Sequence, residues 1–232
     1  MAKLNLPSKL TKDSWFYEKH KGVLEQHLNK QYISYSTQSS WTDYKEDFIK
    51  QKLAGIKLPE SIYANFGNWV GESTEHGVAQ SNNYDFKGVE NLQLIPRPEG
   101  AIYERLIVID FGEWILIGFI DIFVEKEGKI ASLVDIKSGG AKKEEGYKKE
   151  DYTQVILYAK ALEDEGYTID KTGVWFVRRT GSHIKPPLIL SNEQFYIPLE
   201  YNKERVDYAI NKLKKAVEEI SEINTTFQKI FT

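Results

Sequence analysis

The spacing of apolar residues changes along the chain from a helical period to a strand period and back. Residues 1–80 favour helices, because apolar side chains recur there at intervals of three or four positions. The predicted helices cover residues 13–29, 40–53 and 65–77. Ser39 or Ser40 is the expected N-cap of the second helix, and Gly77 is expected to end the third. Residues 80–98 are rich in Asn and Pro and indicate an irregular connection.

The middle of the chain is dominated by apolar, β-branched runs that predict strands. Three of these runs are separated by short turns at Gly112 and Gly128, which indicates a β-meander. A helix, two more strands and a final amphipathic helix follow. The predicted elements are strands at 101–110, 113–126, 129–139, 173–179 and 194–200, and helices at 150–166 and 201–232.

This order of elements predicts an α/β fold in which a central mixed β-sheet is flanked by helices. We expect one domain over 1–232, with a mainly helical N-terminal part over 1–80, a sheet core over 99–200 and a C-terminal helix over 201–232. A chain of 232 residues can bury the core that such a domain needs.

Composition narrows the function classes. The chain has no cysteine, which excludes disulfides, thiolate zinc sites, iron–sulfur clusters and cysteine nucleophiles. It contains neither a signal-peptide pattern nor an apolar run of membrane-spanning length, so we expect an intracellular, cytoplasmic protein with no membrane partner. No P-loop or Gly-rich dinucleotide fingerprint is present, so helicase and oxidoreductase functions have no support.

The net charge of −3 argues against a protein that merely coats nucleic acid, since such proteins usually carry a strong basic excess. It leaves open an enzyme whose acidic residues hold metal ions. Basic residues nevertheless cluster in two places, where solvated loops and phosphate binding are both reasonable interpretations. The first cluster is Lys137, Lys142, Lys143, Lys148 and Lys149, and the second is Arg178, Arg179, His183 and Lys185.

Two aspartates and a lysine on neighbouring predicted strands form the candidate chemical site. Asp121 shares a strand face with apolar residues, where a lone carboxylate is costly unless it is paired or binds a metal. Asp135 and Lys137 are two positions apart and therefore point to the same face, about 6.6 Å apart along the strand. If the two strands pair through the turn at Gly128, two carboxylates and one ammonium group converge.

This grouping suits phosphodiester hydrolysis. A divalent cation held by carboxylates lowers the pKa of bound water and screens the phosphate, and magnesium prefers oxygen ligands. A nearby lysine can orient the water or stabilise the added negative charge. The plain alternative is that Asp135 and Lys137 form an ion pair and that Asp121 caps a turn. The Asp-x-Lys spacing alone favours this alternative.

Three short motifs carry a resemblance to a known family. GFID (118–121), VDIKSG (134–139) and QVILY (154–158) resemble the Gly-x-x-Asp, Asp-x-Lys and Gln-x-x-x-Tyr motifs of RecB-like nucleases in the PD-(D/E)XK superfamily. The motifs occur in the family's order, and the resemblance covers roughly residues 33–180. It implies a restriction-endonuclease-like core, a DNA substrate and Mg²⁺ or Mn²⁺ as cofactor.

The upstream segment agrees with this family in part. The ISYS segment resembles the S-x-S cap of the family's opening helix, but Trp41 and its neighbours stand where many relatives carry a Cys-Pro that feeds an iron–sulfur cluster. FGNWVGESTE (66–75) resembles a Gly-x-x-x-His segment that ends in Glu. Gly67 and Glu75 match, whereas Gly71 occupies the His position. Either Glu75 or Glu72 is therefore a candidate for the third acidic metal ligand.

The resemblance implies roles for individual residues. Asp121, Asp135 and the backbone carbonyl of Ile136 would bind the metal, and Lys137 would be the catalytic lysine. Gln154 and Tyr158, at i and i+4 on one helix face, would frame the site and contact the DNA backbone or the lysine. Their alternative is an ordinary helix boundary between core and solvent.

The leading hypothesis is a metal-dependent DNA nuclease, with exonuclease activity favoured, acting in recombination, repair or phage DNA processing. A single-strand-annealing protein or another recombination protein is a possible partner, and the oligomeric state is open. Lys142, Lys143, Arg178 and Arg179 are the candidate DNA-binding residues. Trp41, Trp69 and Tyr152 are candidates for stacking on unpaired bases, with core packing as the alternative. The competing hypothesis, motivated by Gly71, is a nucleic-acid-binding module that has lost catalysis.

Overall fold

The computed structural model describes residues 8–81, 83–148, 152–182 and 187–231, without the side chain of residue 231. Lys149, His183 and Lys185 of the predicted basic clusters lie outside the described residues. The chain forms two compact units. One consists of Met1–Pro59, Leu106–Gly118 and Asp207–Thr232, and the other of Glu60–Arg105 and Phe119–Val206.

Six strands form one hydrogen-bonded sheet with the order β1-β3-β4-β5-β6, and β2 pairs with β3. The β1–β3 and β4–β5 pairs are parallel, whereas β3–β4 and β5–β6 are antiparallel. This confirms the predicted α/β fold with a mixed sheet. The strands are β1 (Gln31–Ser34), β2 (Ile102–Asp110), β3 (Trp114–Lys126), β4 (Ile130–Gly139), β5 (Thr168–Thr180) and β6 (Ile189–Pro198).

Seven α-helices lie within the described residues. They are α1 (Lys21–Leu24), α2 (Tyr35–Asp43), α3 (Lys45–Phe48), α4 (Ile62–His76), α5 (Ala141–Lys148), α6 (Gln154–Asp164) and α7 (Lys203–Phe231). The predicted end of the third helix is confirmed, because Gly77 caps α4 in a left-handed conformation with φ 70°. None of the helices in the described ranges is long and apolar enough to cross a membrane.

The single helix predicted over 13–29 is wrong. Only short helical segments occur there, and α1 has four residues. Phe16 and Tyr17 are consecutive, and both are buried. His20 leaves helical geometry with φ −125° and ψ 23°, and this separates the first short helical segment from α1.

The predicted start of the second helix is also wrong. Helix α2 begins at Tyr35, because Ser34 adopts an extended conformation and its Oγ accepts a hydrogen bond from the Thr37 amide at 3.1 Å. This serine opens the ISYS segment's S-x-S pattern. The helix then ends at Asp43, where Tyr44 leaves helical geometry with φ −140° and ψ 46°.

Trp41 illustrates the packing of the first unit. Its ring is buried and contacts Phe48 edge-on at 5.5 Å. The indole Nε1 donates a hydrogen bond to Glu219 at 2.9 Å, and Lys45 lies 4.2 Å from the ring centroid and 3.4 Å from the same carboxylate. Trp41 is therefore a core residue and not an exposed platform for bases.

The second unit is built around an apolar cluster that α4, β3, β4 and β5 share. Ile122 and Ile136 contribute from β3 and β4, next to the two candidate aspartates, and Trp69 contributes from α4. These side chains cover the sheet on the side of α4. The cluster fixes the ends of the two strands that carry the candidate chemistry.

Candidate active site

Asp121 and Asp135 face each other where β3 and β4 separate. The antiparallel pairing runs up to Ile122 opposite Val134, so the next residues on the two strands are these two aspartates. The Asp121 carboxylate then accepts a hydrogen bond from the backbone amide of Ile136 at 2.6 Å. The predicted convergence of the two strands thus brings both carboxylates to one place.

Asp135 contacts three polar side chains of the site, and only 2% of its surface is exposed. Its Oδ2 lies 2.7 Å from the Lys137 Nζ and accepts a hydrogen bond from the Tyr152 hydroxyl at 2.8 Å. Its Oδ1 accepts a hydrogen bond from the Gln154 Nε2 at 2.7 Å. The ion pair between Asp135 and Lys137 is the one that strand alternation predicts.

Helix α6 delivers the Gln-x-x-x-Tyr pair to this carboxylate. Gln154 is the first residue of α6, and its Nε2 also donates to the Tyr158 hydroxyl one turn later, at 3.3 Å. Both side chains are buried. These two residues therefore do more than mark a helix boundary between core and solvent, because Gln154 contacts Asp135 directly and Tyr158 contacts Gln154.

The two carboxylates and the lysine shift each other's proton affinities. Burial, and then the negative charge of Asp135, raise the pKa of Asp121 well above its ordinary value, although Lys137 and the Ile136 amide oppose the shift. Burial acts to lower the pKa of Lys137, but Asp135 and Asp121 outweigh it and hold that pKa far above its usual range. Burial and the charge of Asp135 raise the pKa of Tyr158.

These residues fit a divalent cation. Two carboxylates meet beside a single lysine, and burial together with the charge of Asp135 raises the pKa of Asp121, so that ionising both carboxylates is unfavourable without a cation. Mg²⁺ is commonly held by one or two carboxylates and keeps several waters. Asp121, Asp135 and the carbonyl of Ile136 offer a donor set of oxygen atoms only.

The structure does not bring a third acid from α4 to this pair. No group of three His, Cys, Asp or Glu side chains suited to a metal occurs among the described residues. Glu72 is exposed and Glu75 is half-buried, so the choice between them stays a prediction. Gly67 lies against the site strand, since a Cβ there would be 3.5 Å from the Ser138 Oγ, whereas nothing lies within 4 Å of a Cβ at Gly71.

Two residues near the site were not predicted from the sequence. The sequence suggests base stacking or core packing for Tyr152, whereas its hydroxyl donates a hydrogen bond to Asp135. Glu104 of β2 adds negative charge that raises the pKa of Asp121. An aromatic residue just before the Gln-x-x-x-Tyr helix was the available signal for Tyr152. No pattern in the sequence points to Glu104.

The candidate DNA-binding residues occupy different settings. Lys142 and Lys143 are exposed on α5, and the Lys143 side chain packs against Gly139 at the end of β4. Arg178 donates hydrogen bonds to Glu144 and Glu193, while Arg179 stacks 4.1 Å from the ring centroid of Tyr63. The two lysines are thus more accessible to a ligand than the two arginines are, and the role of all four residues in binding DNA stays a prediction.

Comparison with known proteins adds family information to this geometry. The family model of the PD-(D/E)XK nuclease superfamily matches residues 14–229. The solved structures that resemble the chain include a candidate exonuclease from Eubacterium rectale, with a TM-score of 0.52 and 13% identity over 95% of this chain and 87% of that one. The structure of SSO0001 has a TM-score of 0.42 and 13% identity over 88% and 84% of the two chains. No curated protein matches the chain.

Proposed function

The chain belongs to the PD-(D/E)XK nuclease superfamily, and on that basis we propose that it is a magnesium-dependent DNA nuclease that acts from DNA ends. The observation that carries the proposal is the convergence of Asp121, Asp135 and Lys137 at the point where β3 and β4 separate. The structural likeness to a candidate exonuclease supports the fold. The exonuclease activity is part of the proposal.

In this proposal Asp121 and Asp135 hold the metal ion, with the carbonyl of Ile136 as a further oxygen ligand. Mn²⁺ would serve in place of Mg²⁺. The bound ion supplies a water of lowered pKa and charge compensation for the phosphate. Gln154 fixes the orientation of Asp135 by donating to its Oδ1 at 2.7 Å, and the buried Tyr158 hydroxyl receives the remaining amide proton of that glutamine.

Lys137 acts as a fixed positive charge. The two aspartates raise its pKa in the metal-free protein, and we assign it the role of a charged hydrogen-bond donor. Its ammonium group is two positions from Asp135 on the same strand face, so it can donate hydrogen bonds to a phosphate oxygen or to the attacking water. Stabilisation of developing charge by one such donor is typically worth about 10²–10³ in rate.

The proposal extends to the surroundings of the site. Lys142 and Lys143, on the helix that follows the catalytic strand, would contact DNA phosphates together with Arg178 and Arg179. We further propose that the enzyme works in the cytoplasm, in recombination, repair or phage DNA processing. A single-strand-annealing protein or another recombination protein would be a fitting partner.

Cleavage of matched linear and covalently closed circular DNA tests this function. End-labelled linear substrates, single- and double-stranded, are incubated with the protein in Mg²⁺, Mn²⁺ or EDTA. We expect cutting of linear DNA in either metal and none in EDTA, with closed circles left intact. Cutting of the circles would replace the exonuclease assignment by an endonuclease one. If no substrate is cleaved in either metal, the nuclease proposal is refuted.

A second candidate function rests on Gly71. Nothing lies within 4 Å of a Cβ at this glycine. Among the described residues, no group of three acidic or His side chains suited to a metal includes the aspartate pair. Both observations suit a module that binds nucleic acid without cutting it. Such a module would bind DNA equally well after Asp135→Ala. Gly71→His tests the idea further, since a lost ligand at this position predicts that the substitution creates cleavage where wild type has none.

A further inference from the structure

The hydroxyl of Tyr152 lies between the two polar groups that define the orientation of Asp135. Its oxygen is 2.8 Å from Asp135 Oδ2 and 2.7 Å from Gln154 Oε1. Gln154 in turn donates its Nε2 to the other carboxylate oxygen, Oδ1, at 2.7 Å. Asp135, Gln154 and Tyr152 therefore form a closed ring of contacts around one carboxylate.

A phenol has a single proton, so Tyr152 can donate to only one of its two neighbours at a time. An ionised carboxylate is a stronger acceptor than a neutral amide oxygen. The proton is accordingly directed at Asp135 Oδ2, the oxygen that also pairs with Lys137. Each oxygen of Asp135 thus has a donor from the chain segment at the start of α6.

The ring of Tyr152 is held in place from the other side. Tyr147 of α5 contacts it edge-on, with ring centroids 4.9 Å apart, and Tyr147 also lies 5.7 Å from the ring of the buried Phe176 in β5. Helix α5 is itself tied to β5, because the buried Glu144 accepts a hydrogen bond from Arg178 at 2.6 Å. The hydroxyl therefore has a defined position relative to the sheet.

We propose that Tyr152 is a positioning residue, which sets the orientation of the Asp135 carboxylate for metal binding and acts on the reaction only through it. This inference rests on the proposed metal-dependent function. Two donors on opposite oxygens, Gln154 and Tyr152, help to fix the rotation of the carboxylate plane. Without the Tyr152 hydroxyl, Oδ2 is held only by the ammonium group of Lys137, which carries no fixed orientation of its own. Loss of an outer partner of a ligating carboxylate typically weakens metal binding by about 10–100-fold.

The test is the Mn²⁺ affinity of the full chain, measured by calorimetric titration for wild type and Tyr152→Phe. Tyr167→Phe is a matched control, because Tyr167 is also half-buried and its hydroxyl donates to a carboxylate, that of Glu125, at 3.1 Å. We expect Tyr152→Phe to weaken Mn²⁺ binding about tenfold or more and Tyr167→Phe to leave it unchanged. Unfolding in EDTA, followed by circular dichroism, checks that each variant is folded.

A second pair of variants separates the donated proton from the volume of the side chain. Tyr152→4-aminophenylalanine keeps a donor at the same place and is expected to bind Mn²⁺ nearly as wild type does. Tyr152→4-fluorophenylalanine fills the space without a proton and is expected to bind as weakly as Tyr152→Phe. The same pair decides the matter if Tyr152→Phe does not fold.

The outcomes distinguish this inference from the function on which it rests. Wild-type protein that binds Mn²⁺ and cuts DNA, with unchanged affinity in Tyr152→Phe or 4-fluorophenylalanine, overturns the positioning role alone. An equal loss of affinity in Tyr167→Phe also overturns it. Wild-type protein that binds no Mn²⁺ and cuts no DNA overturns both proposals.

Discussion

Replacement of Asp121 by asparagine is expected to stabilise the metal-free protein while it destroys the metal site. Burial and the facing Asp135 raise the pKa of Asp121 well above its ordinary value of 3.8. The folded protein therefore binds this proton more tightly than the unfolded chain does. In the absence of metal, the stability that the Asp121 carboxyl contributes is fully present below its unfolded-state pKa and is lost as pH rises through its folded-state pKa.

The magnitude follows from linkage. Above both pKa values, each unit by which folding raises the pKa costs about 1.4 kcal/mol. Asp121→Asn removes this cost and keeps an oxygen that can accept the hydrogen bond of the Ile136 amide. We expect the free energy of unfolding at pH 8 in EDTA to rise by about 1–2 kcal/mol, which corresponds to roughly 2–8 °C in melting temperature for a chain of this size. Near pH 4 the gain should vanish.

Metal should reverse the comparison. At a concentration about 100 times the dissociation constant, a bound ion stabilises the folded state by about 2.7 kcal/mol, and only wild type keeps both carboxylates. Urea unfolding is measured for both proteins at pH 4 and pH 8, each in EDTA and in 10 mM Mg²⁺. For a dissociation constant near 0.1 mM, this Mg²⁺ concentration is about 100 times the dissociation constant. Asp121→Asn that is less stable than wild type in EDTA at pH 8, or a gain that is independent of pH, would refute the reasoning.

Asp110→Asn is the control, because it is expected to change the free energy of unfolding in the opposite direction to Asp121→Asn. Burial acts to raise the pKa of Asp110, but hydrogen bonds from Lys30 and from the Gly112 amide lower it below its ordinary value. This carboxylate therefore contributes stability that is present above its unfolded pKa and lost as pH falls. The substitution should destabilise the protein at pH 8 and do so less at low pH. Because the side chain is partly exposed, solvent screening keeps the effect below about 1 kcal/mol.

Four further substitutions test three separate parts of the structure. Lys142→Ala and Lys143→Ala should each weaken DNA binding to a similar extent for all sequences, and each should lower the slope of log Kd against log salt concentration by about one. Fluorescence anisotropy at several salt concentrations measures this slope. An unchanged slope would mean that these lysines do not contact the DNA phosphates. Trp41→Phe loses the indole's hydrogen bond to a carboxylate of α7 and should cost about 1–2 kcal/mol in urea unfolding, and a neutral result would mean that this bond contributes nothing net. Gly173→Ala places a Cβ against the ring of Tyr196 and should destabilise by about 1–3 kcal/mol, whereas full stability would mean that the ring moves aside without strain.

The strands that carry the site were predictable because their pattern is local. Strands β2, β3 and β4 are apolar, β-branched runs joined by short turns, and the pairing of β3 with β4 follows from the hairpin alone. Asp135 and Lys137 meet because two positions along a strand bring side chains to the same face. Periodicity and turn chemistry suffice for features of this kind.

The elements that were missed depend on distant partners. Strand β1 has only four residues and pairs in parallel with β3, far along the chain. Helix α5 lacks an apolar stripe, and its buried residue is Glu144. This carboxylate forms ion pairs with Lys148 of the same helix and with Arg178 of β5. The bond between Tyr152 and Asp135 likewise joins residues from two different elements. No local pattern encodes such contacts.

Single-turnover cleavage of linear DNA by wild type and by Lys137→Ala tests the central claim most directly. Lys126→Ala serves as the control, because Lys126 forms an ion pair with Asp170 at 2.8 Å and has no place in the site. We predict that wild type and Lys126→Ala cut at equal rates in Mg²⁺ and not at all in EDTA, and that Lys137→Ala cuts at least about 100-fold more slowly while it still binds DNA. Cutting by Lys137→Ala at the wild-type rate, or cutting by wild type in EDTA, would contradict the account.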